Sequence, residues 1–192
     1  TEALTKWRSK YKGNYVLSAK LDGVSGLYVS ENGNKKLYTR GDGRVGQDVS
    51  HLLKSIKLPK EDDVIIRGEF IIPKKTFDEK YKNDFANTRN MVAGIINKKK
   101  VDKKASDVHF VAYEVIEPVL TPSEQMKYLT EHGFKTVKND VQTDISNEYL
   151  SDLLMDWRKN YEYEIDGIIV SDDSIHVRLE GNPDHAFAFK MV

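Results

Sequence analysis

The sequence predicts an α+β fold built mainly from antiparallel sheets, and three observations lead there. Apolar stretches rich in β-formers recur, each closed by Gly, Pro or Asn-Gly. Helical segments with strong start signals interrupt them without the strict strand-helix alternation of a parallel sheet. No internal repeat or low-complexity tract breaks the pattern. In order, Thr1 to Asn14 reads as a polar lead-in, and Tyr15 to Ser30 as extended chain. Asn32-Gly33 is a two-residue hairpin signal, and Lys36 to Thr39 is the returning strand. Val64 to Ile72 is a strand closed by Pro73, followed by a helix over Lys74 to Lys82 with Phe77 and Tyr81 one turn apart. Val108 to Ile116 is a further strand. Thr121, Pro122 and Glu124 then spell a capping box with Pro at the first helical position, and Gly133 ends that helix. Ser146 caps a second helix, whose Leu150, Leu153, Leu154 and Trp157 share one face. Ile165 to Val170 and Ala186 to Val192 close the fold as strands, so two or three helices are expected in all.

A chain of 192 residues supports one well-buried core, with no room for two large domains. Lys plus Arg and Asp plus Glu both total 30, so any case for a nucleic-acid partner has to be local. Without cysteine there is no disulfide framework, thiolate metal site or Cys nucleophile, which fits a reducing compartment. The five histidines show no metal-ligand spacing. Chemistry therefore rests on Lys, Asp, Glu and Arg. Apolar residues at 39% and aromatics at 10% exceed what a disordered chain carries. No apolar run is long enough to span a bilayer and no signal core opens the chain, so an intracellular protein without membrane contact is expected.

The first chemical constellation is Lys20-Leu21-Asp22-Gly23, in a strand otherwise apolar at Val16, Leu17, Ala19 and Leu21. A lysine amine attacks phosphorus only when unprotonated, so its ordinary pKa near 10.4 must fall through desolvation or nearby cations. Alone, so short a motif more often marks a solvent-facing lysine on an edge strand. Its companions change that. They are Thr39-Arg40-Gly41-Asp42-Gly43 with Gly46 and Asp48, Arg67-Gly68-Glu69-Phe70, and Phe85-Ala86-Asn87-Thr88-Arg89-Asn90 with Ala93-Gly94. Tyr113, Glu164-Ile165-Asp166-Gly167-Ile168-Ile169 and Ala186-Phe187-Ala188-Phe189-Lys190 complete the series. In this order the blocks resemble the nucleotidyltransferase motifs of NAD-dependent DNA ligases, over essentially the whole chain. The Arg-Gly-Asp loop and the Phe-Ala-Asn-x-Arg-Asn block favour the NAD branch, because Lys-x-Asp-Gly is shared with capping enzymes, RNA ligases and ATP-dependent ligases.

The resemblance implies the nucleotidyltransferase fold across residues 1–192 and a set of roles. Lys20 would take AMP from NAD as a phosphoramidate, and Lys190 would neutralise the charge growing on the phosphate. Asp22 stands with them among the catalytic residues, and Ser18, Leu21 and Gly23 line the nucleotide beside them. Glu69 would bond the ribose hydroxyls or help seat Mg²⁺, and Asp166 would act near the phosphate and the same ion. Tyr113 would stack on adenine. Arg40 and Arg89 match arginines of the nucleotide and nicked-DNA site, where a guanidinium fork suits phosphate, and Arg158 matches another ahead of the Asp-Gly block. Taken singly, Glu69 and Asp166 read as rim carboxylates and Tyr113 as sheet core. Lys98, Lys99, Lys100, Lys103 and Lys104 read either as a solvated face or as contacts to DNA phosphates.

The sequence departs from the family pattern at three places. Ser18 stands where a Glu usually reads the adenine amino group, and Ser171 where a Lys ends the Asp-Gly block. His176 and Arg178 are the nearest cations to take that lysine's place. Asn97, beside Lys98 to Lys100, occupies the position of a second arginine. Such departures fit a divergent lineage, as in a large DNA virus or phage, or a domain of weakened activity. The resemblance further implies a nicotinamide-mononucleotide-gripping domain before this one, and OB, zinc and helical modules after it; neither flank is recognised in the 192 residues. The expected partners are a nucleotide and nicked double-stranded DNA, and a monomer is expected. Two other readings keep the fold: an ATP-dependent DNA or RNA ligase domain, and a non-catalytic nucleic-acid-binding module.

Overall fold

The computed structural model describes residues 2–40, 46–177 and 183–190. Helix α1 (Glu2–Lys10) leads into strands β1 (Tyr15–Leu21), β2 (Val24–Glu31) and β3 (Asn34–Thr39). Next come β4 (Gln47–Asp48), a 3-10 turn at Ser50–Lys54, β5 (Val64–Ile71), α2 (Lys74–Lys80) and α3 (Thr88–Ile96). A second 3-10 turn at Lys103–Asp107 precedes β6 (His109–Glu117), α4 (Pro122–Glu131), β7 (Lys135–Thr136) and β8 (Asn139–Gln142). Helix α5 (Asn147–Asn160) and strands β9 (Ile165–Asp172) and β10 (Ala186–Phe189) finish the chain. The strands form a four-stranded sheet in the order β10-β9-β1-β8 and a six-stranded sheet in the order β4-β3-β2-β5-β6-β7. Every pairing is antiparallel except the short β6–β7 contact. The predicted α+β class and antiparallel character hold.

Local signals hold where the chemistry is local. Thr121 accepts from the Glu124 backbone while Glu124 reaches back to the Thr121 N–H, with Pro122 at the first helical position. Ser146 accepts from the Tyr149 N–H and starts α5, whose Leu150, Leu154 and Trp157 are buried. Asn32 and Gly33 both take positive φ, 52° and 79°, as a two-residue hairpin turn requires.

Three expectations need correction. Tyr15 to Ser30 is not one extended run: it breaks at Asp22-Gly23, placing β1 in the four-stranded sheet and β2 in the six-stranded one. A Cβ on Gly23 would fall on the Phe70 carbonyl oxygen, so the chain crosses between sheets at a point only glycine fits. The lead-in is helical, because Leu4, Trp7 and Tyr11 repeat at helical spacing and pack on the four-stranded sheet. Five α-helices are formed among the described residues, where two or three were expected.

Two apolar cores result. One lies behind the six-stranded sheet, where Tyr28, Leu37, Ile66, Phe70 and Phe110 pack against Met91, Val92, Ile95 and Ile96 of α3. The other holds the four-stranded sheet against α1 and α5 and takes in Ile71 and Val111, which tie the two sheets together. No helix among the described residues is long and apolar enough to cross a membrane.

Candidate functional site

The nucleophile candidate sits one step before the crossing between sheets. Side chains alternate along β1, so Val16, Ser18 and Lys20 share a face, while Leu17, Ala19 and Leu21 turn the other way. The Leu21 side chain is packed in the apolar cluster of this sheet, which leaves its backbone as the part beside the cleft. Lys20 is only partly buried at the end of that otherwise buried strand.

Its neighbour across the ladder is Gly167, and the register then slips: Lys20 pairs with Gly167 but Leu21 with Ile165. Asp166 is the extra residue of this bulge, which re-aims its side chain toward Lys20. The Lys20 Nζ donates to both Asp166 carboxylate oxygens at 3.1 and 3.2 Å. On the other side of β9, Phe189 pairs with Ile168, which brings residue 190 level with Gly167. A Cβ on Gly167 would lie 2.6 Å from the Phe189 carbonyl oxygen and 3.1 Å from Lys190 Cγ. Lys190 therefore leans across the bare backbone of Gly167. Lys20 and Lys190 flank the same glycine from neighbouring strands, two strand spacings or roughly 10 Å apart along the sheet.

The six-stranded sheet supplies the facing wall. Along β5 the residues Val64, Ile66, Gly68 and Phe70 turn to the core, so Arg67 and Glu69 turn to the cleft. Glu69 is buried and accepts a hydrogen bond of 3.1 Å from the Gly23 N–H, tying the crossing point to β5. Burial pushes its carboxyl up to about 7, against the pull of the Gly23 hydrogen bond and Lys20, with Asp166 raising it further. Tyr113, on β6, reaches over β5 so that its hydroxyl meets that of Ser25 on β2 at 3.3 Å. Burial, and then Glu69, lift its phenol to about 12, keeping it neutral.

The arginines frame this centre. Arg89 is exposed in the first turn of α3, with Nη1 3.9 Å from Asp22 Oδ1. Arg89 and Asp22 line a cleft of about 480 Å³ with Asn87, Asn90, Phe77, Lys74 and Glu164. Arg40 donates its N–H to the Ser25 carbonyl at 3.1 Å and lines a second cleft of about 340 Å³ with Arg67, Tyr38 and Thr39. The rest of the Arg-Gly-Asp loop, 41–45, lies outside the described residues. Arg158 is exposed near the end of α5; its carbonyl accepts from Lys74, which lines the first cleft.

Ser18 is buried on the Lys20 face, and Ser171 lies on the same face two residues beyond Ile169, the partner of Ser18. His176 does not take the place of the expected lysine: it bonds Asp172 at 2.8 Å and stacks on His185, with Tyr11 edge-on. Arg178 lies outside the described residues. Two of the basic run, Lys98 and Lys104, are paired with Asp102. Sequence reasoning missed the roles of Ser25, Arg67 and Gly167. Arg67 and Gly167 stood inside quoted blocks, whereas nothing local to Ser25 signals its contact with Tyr113.

For a metal, the described residues hold no cluster of three or more His, Asp or Glu side chains. Glu69 and Asp166 nevertheless lie near enough to influence each other electrostatically. Mg²⁺ keeps several waters and binds through one or two carboxylates plus substrate phosphates, so this pair fits it.

The family model for the NAD-dependent DNA ligase adenylation domain matches residues 2–191. The chain is 46% identical over 199 residues to the DNA ligase of Acanthamoeba polyphaga mimivirus, covering 98% of this chain and 31% of that protein. It is 32% identical over 203 residues to the DNA ligase of Bacillus subtilis, covering 92% of this chain and 30% of that protein. The chain thus spans about a third of the length of these relatives. Among solved structures, an archaeal ATP-dependent RNA ligase superposes with a TM-score of 0.62 at 14% identity, over 96% of this chain and 44% of that one. That likeness is one of fold. With the family model matching nearly the whole chain and DNA ligases among its relatives, the chain belongs to the NAD-dependent DNA ligase adenylation domain family.

Proposed function

We propose that this domain forms a lysyl adenylate at Lys20 from NAD and later passes the AMP to the 5′-phosphate of a nick in double-stranded DNA. The observation that carries this reading is the placement of Lys20 and Lys190 on either side of Gly167, on one face of one sheet. The Lys20 amine attacks the adenylyl phosphorus. A P–N bond forms, the P–O bond to the nicotinamide mononucleotide phosphate breaks, and the amine proton passes to Asp166, its hydrogen-bonded neighbour. Negative charge builds on the phosphate oxygens, and Lys190 is the amine placed to balance it. Glu69 holds the ribose hydroxyls, Tyr113 stacks on the base, and Arg40 and Arg89 hold phosphates of nucleotide and DNA. Glu69 and Asp166 are the residues that would hold Mg²⁺ alongside the substrate phosphates, and the ion would add charge neutralisation there.

Incubation with NAD or ATP in parallel, followed by intact-mass measurement, tests this. A mass gain of one AMP with NAD, lost in Lys20→Ala, is the expected result. An adduct with ATP alone moves the domain to the ATP-dependent class. An adduct that survives Lys20→Ala removes the assignment of the nucleophile.

A further inference from the structure

We infer that Trp7 is a positioning residue for Lys190, acting through β10 from the face of the sheet opposite the nucleotide; this rests on the adenylation reading above. Strand β10 is four residues long, forms the edge of its sheet, and has a ladder partner only in β9 among the described residues. One short ladder sets spacing and register but leaves a strand end free to fray or twist. Lys190 follows immediately, so any movement of β10 is movement of its ammonium.

The entry of β10 is held from β9, where the Asp172 N–H donates to the His185 carbonyl at 2.8 Å and His176 stacks on His185, and from α1 behind the sheet. The Trp7 indole N–H donates to the Asp184 carbonyl at 2.8 Å, two residues before the strand begins. The Trp7 ring packs edge-on against Phe187 within β10, with centroids 4.9 Å apart, and against Tyr15 of β1 at 5.4 Å. Lys10, one turn further along α1, pairs with the Asp184 carboxylate at 3.3 Å. Phe187 and Phe189 alternate with Ala188 and Lys190, and Phe187 meets α1 behind the sheet. Trp7 therefore bridges β1, which carries Lys20, and β10, which leads to Lys190, without access to the nucleotide itself. A hydrogen bond and a ring contact from one side chain thus add a direct tie between β1 and β10 to the ladders that each makes with β9. Misplacement of a reacting or charge-balancing group by about 1 Å can cost on the order of 100-fold in rate.

The test is a double-mutant cycle in the full chain, reading the first-order rate of lysyl-adenylate formation and the nucleotide dissociation constant separately. Trp7→Ala is expected to slow adenylate formation by about tenfold, with nucleotide affinity changed less than about threefold. In a Lys190→Ala background the same substitution is expected to change the rate less than about twofold, because the group it positions is gone. Trp7→Phe keeps a ring beside Phe187 and removes the N–H donor, and its expected loss lies between wild type and Trp7→Ala. It also serves as the readable variant if Trp7→Ala does not fold. Equal rate losses from Trp7 substitution in both backgrounds reduce Trp7 to a general stabiliser and overturn the inference. A Lys190→Ala enzyme as fast as wild type instead overturns the functional reading on which the inference depends.

Discussion

The two sheets that meet at Asp22-Gly23 contribute different kinds of group. The four-stranded sheet offers charges on its surface: Lys20 and Asp166 are each partly exposed and paired with one another, and Lys190 is exposed beyond the edge strand. The six-stranded sheet offers groups sunk into its face: Glu69 is buried with its carboxyl lifted to about 7, and Tyr113 has its phenol lifted to about 12. Partly exposed, paired charge suits a step in which a bond to phosphorus forms and a proton leaves. Buried, fixed groups suit recognition of a base and sugar that do not react. On the proposed function, attack and recognition divide along the seam between the two sheets.

Substitutions on the two walls should fail in different ways. Lys190→Ala has the larger expected effect: adenylate formation slows by about 100- to 1,000-fold with nucleotide affinity little changed, as for removal of a charge-stabilising donor. Single-turnover rates set against equilibrium binding separate the two quantities, and a loss confined to affinity would erase the division between walls. Gly167→Ala comes next. Its new methyl would meet the Phe189 carbonyl at 2.6 Å, so β10 must shift and carry Lys190 away. The rate should fall about tenfold, with a lower melting temperature.

Glu69→Gln sharpens the other wall. Burial lifts the native carboxyl from its ordinary 4.5 to about 7, so the folded state holds its proton more tightly than the unfolded chain. That contribution is fully present below about pH 4.5 and is lost as pH rises through 7. It amounts to roughly 3 kcal/mol across that interval. The glutamine variant should flatten the corresponding slope in a series of denaturation curves between pH 5 and 8. An unchanged slope would show that Glu69 does not sit desolvated on the recognition wall.

Much of the architecture was legible because its signals are local. The Thr121 to Glu124 box, the Ser146 cap and the Asn32-Gly33 turn each depend on residues within four positions of one another. The site residues were legible only as an ordered series of blocks, since each alone has a commoner structural explanation. What escaped is long-range. Nothing in Tyr15 to Ser30 announces that it serves two sheets, because the cause is the Phe70 carbonyl lying against Gly23. The bulge that turns Asp166 toward Lys20 depends on register with β1, 146 residues away. Strands β7 and β8, of two and four residues, carry no alternation to read. Helix α1 shows three apolar positions in a polar setting, too narrow a stripe to announce itself.

A crystal structure of the domain captured with AMP bound tests the central claim most directly. The account predicts the phosphate joined to the Lys20 Nζ, with the Lys190 ammonium at hydrogen-bond distance, about 3 Å, across Gly167. AMP on another side chain, or Lys190 turned to the face that packs against α1, would contradict it.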